Sequence, residues 1–220
     1  MKKYTCILFD LDGTLLDTSK GVLKSVSYTI EKLGLPSISE EKMKTFIGPP
    51  IQNSFRNVYS LDDEMTAKAA DTFRNVYKDR FLLEAEHYEG MTELLGELKE
   101  NGFKLAVATY KREDYTLKLL DALDVAKYFD IIKGSDMEGK LTKADIVKFC
   151  IDGFDTDRSE VVLIGDSVND ETGAKAQNID FIAVTYGFGY KTPSDVKDSV
   201  YVASSVKDIR NFIFGQKDAE

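Results

Sequence analysis

The chain has 220 residues, 43% of them hydrophobic, enough to bury the core of one large domain or of a domain with an insert. Its net charge is −9 and its basic stretches are short and isolated, which argues against nucleic acid as a partner. No apolar run approaches the ~20 residues that span a bilayer, and the first apolar segment is broken at Asp10, too early for a secretory signal.

The first predicted element is the strand Cys6-Ile7-Leu8-Phe9, an uncharged run of the kind buried on both faces in the middle of a parallel sheet. Asp10 and Asp12 follow it, and Gly13 ends the run. In extended chain, residues i and i+2 point to the same side, so both carboxylates are expected to leave the carboxyl end of the strand together. Open α/β sheets place their chemistry at that end. Two close carboxylates disfavour each other's ionisation, so the pair implies a bound metal, one aspartate kept protonated as an acid, or both. A turn explains Gly13 but not a second aspartate. A calcium loop of the EF-hand type needs glycine at its sixth position, where this chain has Leu15.

Helices are expected at about 20–33, 40–46, 51–59 and 62–83, the first with Val22, Val26, Ile30 and Leu33 at helical spacing before Gly34. Ile47-Gly48-Pro49-Pro50 forms a stiff loop with one flexible joint. The next strand is Lys104 to Ala108, after a helix over 91–100. A βαβ unit needs about 30 residues; the interval from Asp10 to Leu105 is 95. The excess predicts a helical domain at 18–84 inserted into an α/β domain made of 1–17 and 85–220. Helix and strand then alternate, with strands at 129–132, 161–164, 180–184 and near 200–202 and helices at 113–123, 143–151, 171–177 and 205–214, the pattern of a doubly wound parallel sheet. Residues 215–220 read as a fraying polar tail.

Three more strand ends carry polar residues. Thr109 follows Leu105–Ala108 and reads either as a turn residue or as a hydroxyl for a phosphate oxygen. Lys143 follows the N-cap residue Thr142, where the helix dipole disfavours a cation by some tenths of a kcal/mol. It is either a surface lysine or one held there to meet carboxylate and phosphate, and Lys140 competes with it. Gly165-Asp166-Ser167-Val168-Asn169-Asp170 follows an apolar strand; one cap would suffice there, and two aspartates point to a metal site. Hard oxygen ligands with no His or Cys nearby suit Mg²⁺.

In order and placement these motifs resemble those of the haloacid dehalogenase-like phosphohydrolases, from Tyr4 to about Gly189. Asp10-Leu11-Asp12-Gly13-Thr14 is similar to the family's first motif, D-x-D-G-T, Thr109 to its second, Lys143 to its third and Gly165–Asp170 to its fourth. The helical insert resembles the family's cap, and Gly48-Pro49-Pro50 resembles that of phosphoglycolate phosphatases and related pyrophosphatases. The second motif departs from the usual S/T-N or T-S-K as Thr109-Tyr110-Lys111, and the third from K-P as Lys143-Ala144. The resemblance implies Asp10 as nucleophile and Asp12 as general acid and base. It implies Mg²⁺ on Asp10, Asp166 and the backbone carbonyl of Asp12, with Asp170 orienting metal waters or Lys143. Thr109, Tyr110 and Lys143 are then expected to bind phosphate, with Gly48 and Pro49 touching the substrate from the cap.

The expected activity is hydrolysis of a small, phosphoglycolate-like phosphomonoester through an aspartyl-phosphate. A sugar phosphomutase or pyrophosphatase on the same fold, and a receiver-like phospho-aspartate switch, are the rivals; receivers are only ~120 residues and lack the insert. Dehalogenation is disfavoured because Asp12 would have little use in it. His87 reads as structural, and Lys111 and Arg112 as surface residues, with Lys111 close enough to Thr109 to touch substrate. Arg56 reads as part of a solvated helix face that could alternatively meet a substrate carboxylate or second phosphate, and Gly187-Phe188-Gly189 as a turn without a ligand. Cys6 and Cys150 read as buried free thiols. A small phosphorylated metabolite is the expected partner of a cytoplasmic protein that is monomeric or weakly dimeric.

Overall fold

The computed structural model describes residues 4–137 and 139–215; the predicted tail beyond Gly215 lies outside them. In chain order the elements are β1 (Cys6–Phe9), β2 (Leu16–Asp17), α1 (Ser19–Leu33), α2 (Glu40–Lys44), α3 (Ile51–Tyr59) and α4 (Asp63–Val76), then β3 (Glu86–His87), α5 (Met91–Glu100), β4 (Lys104–Arg112) and α6 (Glu113–Ala122). They continue with β5 (Ile131–Ser135), α7 (Lys143–Phe154), β6 (Val161–Gly165), α8 (Val168–Ala176), β7 (Asp180–Val184), β8 (Tyr201–Ala203) and α9 (Val206–Gly215). The chain divides into two compact units, one of Met1–Leu16 with His87–Glu220 and one of Asp17–Glu86.

The first unit holds a six-stranded sheet in the order β5-β4-β1-β6-β7-β8, with every pairing parallel. This is the doubly wound sheet that the alternation of strands and helices predicts. β1 is central because nothing in it tolerates water: Cys6, Ile7, Leu8 and Phe9 are all fully buried. Cys6 lies opposite Lys104 on one side and Val161 on the other. Cys6, Leu8, Ala106, Ala108, Val161 and Leu163 pack on one face against Ile146, Val147 and Cys150 of α7 and Ala174 of α8. The alternate residues Ile7, Phe9, Leu105, Val107, Val162 and Ile164 are equally buried, so both faces of the sheet are covered. The chain runs from β1 through β4 to β5, then crosses back to β6 on the other side of β1. The carboxyl end of β1 therefore borders the crevice where such sheets bind ligands.

The second unit is helical. Phe46, Phe55, Phe73 and Tyr77 form a continuous aromatic core, with ring centroids 4.9, 6.5 and 5.4 Å apart in sequence. α1 ends at Gly34 in the left-handed region, as its glycine stop predicts. The helix expected over 62–83 is α-helical only to Val76 and then widens into a π turn, Tyr77–Phe81. The cause is at Gly21 of α1, whose N–H donates to Glu84 O at 3.2 Å and where a Cβ would stand 2.3 Å from Phe81 O. The wider turn lets those carbonyls reach α1.

Two other departures lie in strand pairing between separate stretches of the chain. β2 and β3 form a two-residue ribbon, too short for any periodicity to announce. β4 runs to Arg112 instead of ending at Ala108, with a shift of register against β5 between those residues.

Candidate active site

The predicted residues of the α/β unit converge at the carboxyl edge of its sheet. Asp10 is 7% exposed, and its N–H still donates to Ile164 O at 2.9 Å, continuing the ladder to β6. The chain then turns tightly: Leu15 and Leu16 both donate to Leu11 O, and Gly13 takes φ +84°. Only glycine fits there, since a Cβ would stand 2.2 Å from Asp166 Oδ2.

Lys143 is 3% exposed, which excludes the surface reading, whereas Lys140 is exposed. Thr142 caps α7 through a box with Asp145, and this fixes Lys143 in the first turn. Its N–H donates to the Tyr110 hydroxyl at 2.9 Å. Its ammonium meets Asp10 Oδ1 at 2.6 Å and Asp170 Oδ1 at 2.5 Å. Gly173 of α8 makes room for its stem; a Cβ there would stand 2.7 Å from Lys143 Cγ. Burial pulls this lysine down, but Asp10 and Asp170 outweigh it and hold it above the ordinary lysine range, so it stays charged. The two carboxylates also offset the helix dipole that disfavours a cation at this position.

Asp166 is 4% exposed, and its Oδ2 accepts the N–H groups of Phe188 at 2.6 Å and Gly189 at 3.0 Å. Asp170 accepts from the N–H and hydroxyl of Ser167 through Oδ2 while its Oδ1 holds Lys143. One ligand oxygen from each of Asp10, Asp166 and Asp170 lies within 4.8 Å of the other two. Burial, reinforced by the charges of Asp170 and Asp166, pushes Asp10 up to about 8 against the pull of Lys143. Burial and Asp170 push Asp166 up to about 6 against its two backbone donors.

Three buried carboxylates share one ammonium, so full ionisation would leave two negative charges in excess, and only protons or a cation can offset them. Buried charges are paired or coordinate metal, and this donor set, all hard oxygen with no thiolate or imidazole, fits a divalent cation such as Mg²⁺.

Asp12 stands apart from this cluster. Its Oδ1 meets Lys111 Nζ at 3.0 Å, with side chains 12% and 8% exposed. Lys111 is thus no surface residue; it lies in the stretch of β4 whose register against β5 shifts between Ala108 and Arg112. Thr109 is 1% exposed, and its hydroxyl oxygen accepts from Lys111 N at 3.2 Å, which leaves its proton to donate. Tyr110 points its hydroxyl at the start of α7. Gly48 and Pro49 lie in the helical unit, both exposed, between α2 and α3, Gly48 at φ +97°. Arg56 is exposed and paired with Asp63, the solvated helix face expected of it, and His87 is half-buried in β3.

Sequence reasoning missed one contributor and placed another, Lys111, at the surface within reach of Thr109. Gly187-Phe188-Gly189 is a turn, but one wrapped on Asp166: a Cβ on Gly187 would stand 2.2 Å from Gly13 O. Two glycines just past a strand end signal such an approach. Lys111 carried the second signal, two residues beyond Thr109 and so on the same side of an extended chain.

A family model described as haloacid dehalogenase-like hydrolase matches residues 7–184. A 5'-nucleotidase of Pseudomonas aeruginosa is 31% identical over 188 residues, 85% of either chain. A phosphoglycolate phosphatase of Vibrio parahaemolyticus is 27% identical over 212 residues, 92% of this chain and 93% of its own. Among solved structures, a "predicted phosphatase" from Clostridium acetobutylicum superposes with a TM-score of 0.90 at 35% identity, covering 97% of this chain and 99% of its own. The chain belongs to the haloacid dehalogenase-like hydrolase family, as one of its phosphatases.

Proposed function

We propose that this phosphatase hydrolyses small phosphomonoesters, of the phosphoglycolate kind, through an aspartyl-phosphate on Asp10. The observation that carries the reading is the division of labour between the two aspartates. Asp10 sits with Lys143 in the cluster with Asp166 and Asp170, while Asp12 is held outside it by Lys111. An attacking carboxylate belongs with cations, and a proton carrier belongs beside the leaving group.

In the first step an Asp10 carboxylate oxygen bonds to phosphorus as the bond to the leaving oxygen breaks, and Asp12 gives that oxygen its proton. In the second, water attacks phosphorus, Asp12 takes the water's proton, the Asp10–phosphorus bond breaks, and inorganic phosphate leaves. The Lys143 ammonium and the Thr109 hydroxyl proton stabilise the charge on the non-bridging oxygens. Asp170 holds Lys143 in place and is tied to the start of α8 by Ser167. Mg²⁺, held by Asp10, Asp166 and the backbone carbonyl of Asp12, would supply charge neutralisation between carboxylate and phosphate dianion.

These groups recognise only a phosphoryl group. The two curated relatives are named for different substrates, a nucleotide and phosphoglycolate, so likeness alone does not select one. In this reading the helical unit is the cap and the Gly48-Pro49-Pro50 loop sets substrate choice, its shape fixed by the prolines and its backbone opened by Gly48.

The test is Asp10→Asn assayed on 4-nitrophenyl phosphate, with wild type quenched in acid during turnover and its peptides weighed. Loss of turnover, with an acid-stable, base-labile phosphate on the peptide containing Asp10, is expected. Full activity in Asp10→Asn would refute the mechanism.

A further inference from the structure

We propose that Lys111 is a positioning residue that keeps the Asp12 carboxyl at the leaving group and out of the metal cluster. The inference rests on the acid–base role of Asp12 and adds a residue to it.

Asp12 needs such a device. Its side chain turns about two bonds, and Asp10, two residues away, stands with Asp166 and Asp170 in a cluster that invites a cation. A carboxylate left loose there is drawn to whatever cation the cluster holds and is then of no use as a proton carrier. Lys111 opposes this with an ammonium 3.0 Å from Asp12 Oδ1, the two side chains almost fully enclosed. Charge-assisted contacts between enclosed groups are the strong ones.

The aim of Lys111 is itself built in. Its backbone N–H is fixed by the Thr109 hydroxyl oxygen, and the ladder of β4 to β5 shifts register across Ala108–Arg112. Within this stretch alternate residues take opposite tasks. Tyr110 reaches the first turn of α7, whereas Thr109 and Lys111 share the side of the phosphate and of Asp12. One irregular strand end thus supplies a phosphate donor and sets the acid. Lys111 takes no part in the bond-making steps; it acts through Asp12.

The test compares kcat/KM for an alkyl phosphate and for 4-nitrophenyl phosphate in Lys111→Met, Lys111→Arg, Asp12→Asn and the double variant Lys111→Met/Asp12→Asn. An alkoxide needs a proton to leave and 4-nitrophenolate does not. Lys111→Met is expected to lose roughly 10–100-fold on the alkyl ester, a part of the ~10²–10⁴ that acid–base help supplies, and only a few-fold on the aryl ester. Lys111→Arg should recover most of the loss, because a cation is restored. In the Asp12→Asn background Lys111→Met should cost almost nothing more, the mark of residues acting as a unit.

Multiplicative losses in the double variant, or equal losses on both esters, would mean that Lys111 binds phosphate on its own account and would overturn the proposal. Full alkyl-ester activity in Asp12→Asn would instead overturn the acid–base reading beneath it. If Lys111→Met fails to fold, Lys111→Gln, which keeps a polar donor, takes its place in the same cycle.

Discussion

Without metal, the protein should lose stability as pH rises through neutrality, and Mg²⁺ should cancel that loss. Asp10 is held up to about 8 in the folded chain by burial and by Asp170 and Asp166. In the unfolded chain it titrates near ~3.9. Between about pH 4 and pH 8, then, the folded state keeps a proton that the unfolded state has released. Stability falls wherever the folded state binds more protons, by about 1.4 kcal/mol per pH unit for one group. From pH 6 to pH 8 Asp10 alone should cost about 2 kcal/mol. Asp166, already near half titration at about 6, adds only a few tenths by the same relation. At roughly 2–4 °C per kcal/mol for a chain of this size, Tm should drop by about 4–9 °C. A bound cation takes the place of the proton, so the gap in Tm between saturating Mg²⁺ and EDTA should widen by that amount. Thermal melts at pH 6 and pH 8, with and without EDTA, measure it, and Asp10→Asn serves as control because its amide does not titrate. An equal gap at both pH values, or the same widening in Asp10→Asn, would refute the reasoning.

Asp166→Ala should abolish both activity and the Mg²⁺-dependent rise in Tm, and retention of either measured by the same melts and assays counts against Asp166 as a ligand. Gly13→Ala should be destabilised by about 1–3 kcal/mol, because it forces a strained φ and drives a methyl group into Asp166; chemical denaturation reads this directly. In a panel of substrates, small organic phosphates should be turned over far better than phosphopeptides. Pro49→Ala should reorder that panel while leaving 4-nitrophenyl phosphate nearly untouched, and an unchanged order would remove the cap loop from substrate choice.

The fold was legible in the sequence wherever burial was total. β1, β6 and β7 are apolar runs because both sheet faces are covered, and the helices with one buried stripe were found to within a few residues. What escaped was set by contacts across the chain. The π turn after Val76 answers to Gly21, far away in sequence, and no local pattern records that. In the site, Asp10, Lys143, Asp166 and Asp170 come together in space, because strand ends in such a sheet share one edge. Lys111 was misjudged for the opposite reason. A lysine among charged neighbours at the end of a strand has the composition of surface, although its i+2 relation to Thr109 puts it on the buried side and Asp12 meets it there. The glycines at 187 and 189 look like ordinary turn residues until the carboxylate they enclose is seen.

The place of β1 in the sheet has a consequence for synthesis. It is the earliest strand of the sheet to emerge, yet its two partners begin at Lys104 and Val161. At the ~5–20 residues per second of translation, the strand waits roughly 8–30 s between the emergence of Cys6 and that of Val161. For roughly the first 5–20 s of that time, until Lys104 emerges, four apolar residues have both edges unpaired, and the edge that meets β6 stays bare to the end. The helical unit, with its shorter-range contacts, is the part able to fold in the interval. The most vulnerable moment of this protein therefore comes on the ribosome, when its best-buried strand is still bare.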